Sequence, residues 1–563
     1  MDKKQALNAI SLTADILELL GENEFKVLAY RKAERMLERF DGNWDEAVQT
    51  SFKKVSGIGA QLGSSLVEFS ESGVFAPLSD VASLVPPGVL ELFRVRGLGP
   101  KKVRVLWDAG VDGISGLLEF ARAGKLAVLK GFGAATQAKL IDEAEFSLKS
   151  SERRLLSEAR AVFGMLENQL QGVASRLEPA GSLKRGLETC GDVDAVVLGD
   201  RDSIIKSLEA FKAKDDPDYP WLIAANIEGV SIQLAISSVE TWGAAQLMMT
   251  GSKPFLEGVK ARAVEKGIDF SSRGLFKDDV LVPTPTELDA SQTLDLEYRI
   301  PEWREAEHLS RTDLPNPENL VRLEQMRGML HVHSNWSDGA ASLRDMALGA
   351  KARGAKYLGI CDHSKTAIYA GGLDETRVRA QWREIDALNS ELEDFRILKG
   401  IESDILSDGS LDYDDEFLAE FDFVVASIHS SFGMPEAQQT NRLVRAVSNP
   451  FTTILGHPTG RLLLRRPPYK FDHQAVLEAA TQHKTIIEIN ASPYRLDLDW
   501  REVLNARASG LKFAINTDAH RVGGFDDLEY GIKIARKAAL ETSMVVNTLE
   551  MQDFLNLARA KRG

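Results

Sequence analysis

The chain has 563 residues, of which 44% are hydrophobic and 27% charged, and its formal net charge is −15. This length predicts about three to five domains with several cores. The first residues lack the apolar core of a signal peptide, and no apolar run approaches the roughly 20 residues of a membrane helix, so we expect a cytoplasmic protein without a membrane partner. Cys190 and Cys361 are too few for a disulfide framework, which agrees with a reducing compartment.

The acidic net charge argues at first sight against nucleic acid as a partner. Its distribution matters more, because residues 51–150 carry twelve Lys or Arg against ten Asp or Glu. This segment is therefore mildly basic, and the acidic excess lies elsewhere. Clustered metal-binding carboxylates contribute to that excess, and bound divalent ions would offset them.

Two helices are predicted over residues 5–40, on either side of a break at Gly21. Three similar segments follow at residues 55–59, 95–99 and 129–133, each an apolar-x-Gly-apolar-Gly sequence that leads into a helix. Such a turn presents free backbone N–H groups and the positive end of a helix dipole, which bind phosphate without reading base sequence. The three copies resemble helix-hairpin-helix DNA-binding elements. This resemblance implies DNA contacts at Gly57, Gly59, Gly97, Gly99, Lys101, Lys102, Gly131 and Gly133.

A second chemical stretch follows the amphipathic helix predicted over residues 151–170. Asp192 and Asp194 stand two apart in a predicted strand, so both carboxylates face one side of a sheet. Paired carboxylates of this kind hold Mg²⁺ beside substrate phosphates. Upstream, Ser182 and Arg185 lie at a glycine turn that suits a triphosphate. An Asp-x-Asp pair alone would equally fit the solvent-facing side of an edge strand.

Together with Gly243-Ala-Ala and Thr250-Gly251-Ser252, this pattern resembles the palm of the nucleotidyltransferase superfamily, specifically of family X DNA polymerases, the group of DNA polymerase beta. The resemblance extends over residues 1 to about 305. It implies DNA and dNTPs as substrates, Asp192 and Asp194 as catalytic ligands of Mg²⁺ or Mn²⁺, and a small thumb-like α/β unit after the palm. The implied nucleotide contacts are Gly181, Ser182, Arg185, Thr250 and Gly251.

The palm departs from the family pattern at four positions. Gln233 stands where a third carboxylate would complete the metal site, and an amide can neither act as a base nor bind Mg²⁺ well. Met248 and Met249 replace an aromatic pair, and Leu256 replaces an Asn near the incoming nucleotide. These departures predict that template-directed synthesis is slow, dependent on Mn²⁺, or lost.

The N-terminal module departs as well. Gln61 and Ser65 stand where relatives of polymerase beta have the lysines that form a Schiff base with an abasic sugar. We therefore expect no 5′-deoxyribose-phosphate lyase activity by that route, and binding of a 5′ end by this segment stays open.

From residue 329 onward, short apolar runs alternate with helical patterns, which predicts a β/α barrel with its site at the C-terminal ends of the strands. Six of the nine histidines lie at the ends of those runs, whereas His308, His473 and His483 do not and are predicted to be surface residues. A single buried histidine would merely satisfy core hydrogen bonds, but the full set indicates a metal centre. The candidate ligands are His331, His333, Asp338, His363, Glu402, His429, His457, Asp518 and His520.

Nitrogen and oxygen ligands in this mixture suit Mn²⁺, Zn²⁺ or Fe²⁺ and disfavour Ca²⁺. Several clustered ions neutralise a phosphodiester and lower the pKa of bound water, so the predicted reaction is hydrolysis of a phosphate ester. Two ligand pairs, His331 with His333 and Asp518 with His520, are spaced by two residues, so that each pair can bind one ion.

Residues 331–520 resemble the PHP (polymerase and histidinol phosphatase) family, whose nine-ligand pattern is matched without a gap. The resemblance implies up to three ions. One is held by His331, His333, Glu402 and Asp518, and Glu402 bridges it to a second ion. The remaining ligands are assigned as follows: His429 and His457 to the second ion, and Asp338, His363 and His520 to the third.

The expected fold is multidomain, with N-terminal all-α helix-hairpin-helix modules, an α/β nucleotidyltransferase palm and a C-terminal β/α barrel of PHP type. The predicted domains are 1–84 (lyase-like helical DNA-binding domain), 85–150 (helix-hairpin-helix domain), 151–245 (palm), 246–304 (small thumb-like α/β domain), 305–328 (linker) and 329–563 (PHP domain).

As a whole, the chain resembles a bacterial family X polymerase that carries a PHP domain. The leading hypothesis is a DNA-repair enzyme that fills short gaps, binds gapped or nicked DNA through its backbone, and removes 3′ nucleotides at the PHP centre, with cleavage at abasic sites implied by the resemblance. Two alternatives stay open: a metal-dependent nuclease whose palm has become a DNA-binding platform, and a phosphatase acting on small phosphate monoesters. A non-enzymatic scaffold is the least favoured.

Overall fold

The computed structural model describes residues 3–38, 40, 44–219 and 221–562. The chain divides into two compact units, residues 1–152 and 153–563. Among the described residues, no helix combines the length and the apolar character needed to cross a membrane.

The first unit is all-α, and the two helices predicted over residues 5–40 are confirmed as its first pair. Each glycine turn precedes a helix: Gly57, Gly97 and Gly131 adopt positive φ values of 84°, 92° and 90°, which disfavour a side chain. The helices of this unit are α1 (Lys3–Leu19), α2 (Glu24–Glu38), α3 (Trp44–Gln49), α4 (Ala60–Ser72), α5 (Ala76–Ala82), α6 (Pro87–Glu91), α7 (Pro100–Asp108), α8 (Ile114–Arg122) and α9 (Ala134–Ser151).

The second unit begins with the palm, a five-stranded sheet in the order β2-β4-β7-β6-β5. Strands β4 and β7 run parallel, and the other neighbours are antiparallel. The elements of the palm are β1 (Arg154–Leu155), α10 (Leu156–Gln169), β2 (Arg176–Pro179), α11 (Gly181–Arg185), β3 (Thr189–Cys190), β4 (Val193–Leu198), α12 (Arg201–Ser207), β5 (Lys214–Asp215), β6 (Leu222–Ile227), β7 (Val230–Ser237) and α13 (Trp242–Thr250).

A small α/β part follows the palm, as the sequence predicts. Its three short strands form an antiparallel sheet that packs with two helices around Leu247, Val259 and Leu275. Its elements are α14 (Lys253–Glu265), β8 (Ile268–Ser271), β9 (Gly274–Lys277), β10 (Val280–Val282) and α15 (Glu287–Thr293).

The C-terminal part is a barrel of parallel strands with helices outside. Strands β11 to β13 form one parallel set and β14 to β18 another. A parallel bridge between Val332 and Ala519 joins the two sets on one side, and a bridge between His363 and Glu402 joins them on the other. The elements are β11 (Gly328–Val332), α17 (Leu343–Ala352), β12 (Tyr357–Ile360), α18 (Glu375–Glu391), β13 (Arg396–Lys399), β14 (Glu402–Asp404), α19 (Asp415–Leu418), β15 (Val425–Ser427), α20 (Glu436–Ser448), β16 (Ile454–Leu455), α21 (His473–Gln482), β17 (Ile486–Asn490), α22 (Trp500–Ala506), β18 (Phe513–Asn516), α23 (Leu528–Lys537) and α24 (Met551–Ala560).

The segment 305–328, expected to be a linker, is held between the palm and the barrel by a few buried residues, although much of it is exposed. It contains the short helix α16 (Ala306–Leu309), and its Leu320 and Val321 are fully buried. Helix α23 of the barrel completes this junction, because Lys537 Nζ donates to Glu305 Oε1 at 3.1 Å and to the backbone oxygens of Arg185 and Glu302. The palm and the barrel therefore form one packed body.

The prediction that His308 is a surface residue is wrong, because its side chain is fully buried in this junction. Its ring stacks on Trp500 with centroids 5.1 Å apart, and Nε2 lies 2.8 Å from the backbone oxygen of Lys537. A carbonyl only accepts, so Nε2 carries the hydrogen. Nδ1 is buried without a hydrogen-bond partner among the described residues. The other two histidines, His473 and His483, are half-buried.

This environment predicts that His308 makes stability depend on pH. Burial lowers the pKa of His308 to about 4, because a second proton on Nδ1 would have no acceptor. Between pH 4 and 6.5 the unfolded chain then binds more protons than the folded chain, so stability falls as pH falls through that window, by roughly 3 kcal/mol in full. Urea unfolding from pH 7 to pH 4 should show this loss in the wild type and a smaller loss in His308→Gln.

The half-buried His483 offers a matched control for that comparison. His483→Gln should leave the pH dependence of the wild type unchanged. Equal pH dependence in His308→Gln and the wild type would contradict a neutral, buried His308.

Candidate metal centre and palm site

Eight of the nine candidate ligands of the barrel cluster around the ninth, the buried carboxylate of Glu402. Five imidazoles approach it closely, because the strand ends that carry them meet at one end of the barrel. The distances to a Glu402 oxygen are 3.2 Å from His331 Nε2, 3.6 Å from His333 Nε2, 3.0 Å from His363 Nδ1, 3.4 Å from His429 Nε2 and 3.0 Å from His457 Nε2.

The other three ligands extend this cluster to one side. Asp518 Oδ1 lies 3.1 Å from His333 Nε2, and Asp338 lies 3.6 Å from His363 Nε2 and 3.3 Å from His520 Nε2. The ligand atoms fall into four overlapping groups, and within each group they lie within 4.8 Å of one another. One group joins Asp338, His363 and His520, the set assigned to the third ion, with His333.

Three of these ligands adopt a left-handed backbone conformation that side chains rarely take. The φ angles are 56° at His331, 24° at His457 and 53° at Asp518. Strand pairing also shifts register between Met329 and Val332. Such conformations cost on the order of 1–3 kcal/mol each and cluster at functional sites. The strand-end backbone is thus bent to aim imidazole and carboxylate groups at one centre.

The donor set fits a cluster of divalent ions. Both oxygens of Glu402, both ring nitrogens of His333 and Nε2 of His331 are buried without hydrogen-bond partners among the described residues. Buried polar atoms of this kind need partners, and divalent ions would satisfy all of them at once. Burial opposes the charge of Glu402, but the surrounding imidazoles, His429 and His331 first, hold its pKa well below its ordinary value. The carboxylate therefore stays ionised and able to bind a cation.

Glu488 also contacts this centre, although it is not among the residues predicted from the sequence. Its buried carboxylate lies 2.6 Å from His331 Nδ1 and accepts from the backbone N–H of His457 at 3.0 Å. The side-chain amides of Asn490 and Asn516 also donate to it. The feature of the sequence that marks Glu488 is its position as a carboxylate inside the otherwise apolar strand β17. Glu488 orients His331 so that Nε2 faces the centre.

Asp404 acts in the same way on His429. Its Oδ1 lies 2.6 Å from His429 Nδ1, and its Oδ2 accepts from the hydroxyl of Thr366 at 2.9 Å. Burial opposes protonation of His429, but Glu402 and Asp404 raise its pKa to about 10. A metal ion binding at His429 would therefore displace a proton.

The palm brings its two candidate carboxylates together at the start of β4. Asp192 directly precedes the strand and Asp194 lies within it, paired in register with Gln233 of β7. Burial and the neighbouring Asp192 raise the pKa of Asp194 to about 7. A cation between the two groups would relieve this unfavourable charge, as Mg²⁺ or Mn²⁺ would.

The glycine turn of the palm lies directly against this carboxylate. A Cβ atom at Gly181 would come within 1.9 Å of Asp194 Oδ2, and Gly181 has a φ of 55°. Short helix α11 therefore starts beside the carboxylate pair and carries Ser182 and Arg185 with it. Only glycine permits this approach.

Gln233 and Arg185 already have partners in the palm. Gln233 stands where the third carboxylate is expected, and its Nε2 donates a hydrogen bond to Asp216 Oδ2 at 3.3 Å. Arg185 Nε donates to Glu305 Oε1 at 2.8 Å, and its Nη1 donates to the backbone oxygen of Thr250 at 2.9 Å. Arg185, a predicted triphosphate contact, is thus also linked to the junction between palm and barrel, which no local sequence pattern indicates.

Family models match four parts of the chain: a helix-hairpin-helix domain at residues 1–75, a SAM-like helix-hairpin-helix tandem at 89–145, the DNA polymerase beta thumb at 245–305 and the PHP domain at 329–492. The chain is 35% identical over 565 residues to the DNA polymerase/3'-5' exonuclease PolX of Bacillus subtilis, and the match covers 98% of each protein.

Two probable phosphatases match a smaller part. One from Thermoanaerobacter is 28% identical over 229 residues, which are 39% of this chain and 89% of that protein. The probable phosphatase YcdX of Escherichia coli is 27% identical over 230 residues, which are 39% of this chain and 88% of that protein. The two phosphatases therefore match well under half of this chain, whereas the Bacillus subtilis protein matches it almost from end to end.

The contacts of Glu488 predict that Glu488→Gln weakens metal binding. The substitution keeps the shape but removes the charge that holds the Nδ1–H of His331, and losses of such partners typically cost about 10–100-fold in metal affinity. Mn²⁺ retained after dialysis against graded chelator, measured by elemental analysis, should report the loss. Glu478→Gln, at an exposed position of α21, is the control. Unchanged retention in Glu488→Gln would show that Glu488 does not support the centre.

Proposed function

Because the chain belongs to the PolX family of family X DNA polymerases that carry a PHP domain, we propose that it is a DNA-repair enzyme with two active centres. The palm adds nucleotides to the 3′ end at short gaps, and the barrel removes 3′-terminal nucleotides by hydrolysis. The observation that carries the nuclease part is the convergence of nine candidate metal-ligand side chains, Glu402 and eight others, at one end of the barrel.

The barrel centre would hold Mn²⁺, Zn²⁺ or Fe²⁺, up to three ions, on the nine ligands named above. When bound, these ions supply an activated water and neutralise the phosphodiester. The chain itself supplies the positioning: Glu488 and Asp404 fix two of the imidazoles. Arg495 lies 3.6 Å from Asp518 and has a buried Nη1 without a hydrogen-bond partner in the described part of the chain. That guanidinium suits a phosphate oxygen.

The polymerase part rests on Asp192, Asp194 and the turn that presses against them. Mg²⁺ or Mn²⁺ on the two carboxylates would bind the triphosphate of a dNTP beside Gly181, Ser182 and Arg185, with Thr250 and Gly251 close by. Gln233 leaves the site without its third carboxylate, which favours a slow, Mn²⁺-dependent activity.

DNA binding is assigned to the first unit. The residue directly before each of α4, α7 and α9, namely Gly59, Gly99 and Gly133, has open space where a Cβ would stand, with no described atom within 4 Å. A DNA backbone can therefore approach these helix starts. Lys101 is exposed, and Lys102 Nζ donates to the backbone oxygen of Gly97 at 3.0 Å.

A cavity of about 330 Å³ lies beside the first of these turns, lined by Lys26, Tyr30, Gly57, Gln61 and Ser65 among others. It suits the 5′ phosphate of a gap. Gln61 and Ser65 supply no amine, which supports the expectation that no lyase reaction proceeds at those positions.

Gapped or nicked DNA is the proposed substrate. Cleavage of DNA at abasic sites is a further expectation, and the proposed location of the protein is the cytoplasm.

One alternative is favoured by a specific contact. Gln233 pairs in register with Asp194 but hydrogen-bonds to Asp216, which suits a palm that binds DNA without catalysis beside an active nuclease. The phosphatase alternative is weaker, because the phosphatase relatives match only about two fifths of the chain and leave the helix-hairpin-helix part unexplained.

A single gap-filling assay separates these functions. A 5′-labelled primer in a one-nucleotide gap is incubated with Mn²⁺, with and without dNTPs, and its length is read on a denaturing gel. We expect lengthening with dNTPs that disappears in Asp192→Ala, and shortening that disappears in His333→Ala, because each substitution removes a metal ligand from only one centre.

The two variants control for each other in that assay. Shortening alone, abolished by His333→Ala and unchanged by Asp192→Ala, would overturn the polymerase proposal and leave the nuclease. Neither lengthening nor shortening, combined with release of phosphate from a small monoester, would favour the phosphatase.

A gain-of-function variant tests the role of Gln233. Gln233→Asp restores a carboxylate beside Asp194, and we expect nucleotide addition to rise by about 100-fold, the lower end of what a positioned general base contributes. Because the new carboxylate would face Asp216, the double variant with Asp216→Asn should gain more than the single one. Steady-state rates at saturating dNTP provide the measurement, and no gain in either variant would show that Gln233 does not limit synthesis.

A further inference from the structure

Two large apolar side chains are exposed beside the metal centre. Ile368 is 85% exposed and Tyr369 is 72% exposed, more than any other large hydrophobic side chain in the described part of the barrel. Both lie on a single 3₁₀ turn, Ile368–Ala370, between β12 and α18. Nothing in the proposed metal chemistry requires them, so their exposure needs a separate explanation.

Tyr369 stands at the edge of the ligand cluster. Its ring centroid lies 6.2 Å from that of His363 and 6.5 Å from that of His429. A group resting on this ring would therefore be next to whatever the ions hold. If a phosphodiester lies on the ions, it is flanked by the sugars of the two nucleotides that it joins, and their bases lie one sugar further away.

The turn that carries both side chains is held firmly. Arg377 Nη1 donates to the backbone oxygens of Gly371 and Gly372 at 2.6 and 3.1 Å. Thr366 Oγ1 donates to Asp404 at 2.9 Å, and Asp404 also contacts the ligand His429. The exposed pair is thus built on a fixed support that is hydrogen-bonded to the metal centre itself.

An aromatic ring with an aliphatic neighbour suits one partner beside catalytic ions, a nucleobase. Stacking of bases on aromatic side chains is tolerant of sequence, because every base has a π-face. Two residues are too small a patch for a stable protein interface, which buries at least about 1,000 Å². Ions that bind phosphate alone leave the base of the departing nucleotide without a contact, and the pair supplies one.

We propose that Ile368 and Tyr369 form a platform on which the base of the 3′-terminal nucleotide stacks, unpaired, while its phosphodiester lies at the metal centre. This inference rests on the proposed exonuclease function. In that reaction a water oxygen bonds to phosphorus, the bond from phosphorus to the O3′ of the preceding nucleotide breaks, and O3′ takes a proton. The products are a nucleoside 5′-monophosphate and a shortened strand. The platform accordingly favours ends whose last base is frayed or mismatched.

The test compares two labelled single strands that differ in one group, a normal 3′-terminal nucleotide and a 3′-terminal tetrahydrofuran nucleotide without a base. We expect Tyr369→Ala to lower kcat/KM about tenfold on the normal end and less than twofold on the end without a base. Tyr369→Phe, which keeps the ring, should recover most of the loss. Ile368→Ala should show a smaller loss with the same dependence on the base.

Leu348→Ala provides the matched control, because Leu348 is an exposed apolar side chain, 46% exposed, on outer helix α17. It should leave kcat/KM on both strands unchanged. Equal losses on the two strands in Tyr369→Ala would overturn the platform, as would a loss in Tyr369→Phe as large as that in Tyr369→Ala, which would assign the role to the hydroxyl.

A binding measurement separates failure of the platform from failure of the exonuclease proposal. With 2-aminopurine as the 3′-terminal base and the full-length His333→Ala chain, stacking should quench fluorescence on binding. The quench should vanish when Tyr369→Ala is added and persist with Tyr369→Phe. If the wild type shortens neither strand, the exonuclease proposal fails. In that case the fluorescence quench alone shows whether the terminal base stacks on Tyr369. A quench unaffected by Tyr369→Ala overturns the platform whatever the activity.

Discussion

The structure depends most on one buried carboxylate, that of Glu402. Five imidazoles lie within 3.6 Å of its oxygens, and they come from strand ends spread around the barrel. Burying a carboxylate costs free energy unless positive charge surrounds it. Divalent ions held by the imidazoles would supply that charge. The left-handed conformations of His331, His457 and Asp518 are understandable in this light, because the barrel accepts local strain to form a site that divalent ions complete.

The palm and the barrel are connected by charged groups as well as by apolar packing. Glu305 accepts from both Arg185 of the palm and Lys537 of the barrel, and burial would be unfavourable for any one of them alone. His308 and Trp500 stack beside this group. A residue assigned to nucleotide binding, Arg185, is therefore part of the joint that positions the nuclease barrel. The two centres of this unit are fixed relative to each other rather than tethered by a flexible chain.

The two centres differ in how completely they match their families. The barrel has all nine candidate ligands and carboxylates that contact two of them, His331 and His429, whereas the palm has Gln233 in place of the expected third carboxylate. The end-to-end relative is a polymerase with exonuclease activity by name, and the partial relatives are probable phosphatases. Relatives of the barrel thus carry different names, and the parts that indicate DNA binding in this chain, the helix-hairpin-helix and polymerase domains, lie outside the barrel.

The sequence by itself determined the features that local periodicity encodes. Alternating apolar residues placed Asp192, Asp194 and Gln233 on one face of neighbouring strands, and apolar runs ending in histidine or carboxylate marked the strand ends of the barrel. Helices α1 and α2 and the glycine turns followed from spacing alone. These features depend on residues close together in the chain, which is why one sequence was enough.

Tertiary structure alone decided the contacts between residues far apart in sequence. Glu488 is 157 positions from His331, and Lys537 is 229 from His308, so no local pattern could pair them. The segment 305–328 has few apolar residues and reads as a linker, yet its His308, Leu320 and Val321 are fully buried because other parts of the unit pack against them. A polar side chain can be exposed to solvent, bind a metal ion or make a buried hydrogen bond. The segments that pack against it decide which of these occurs, and they come from distant parts of the chain.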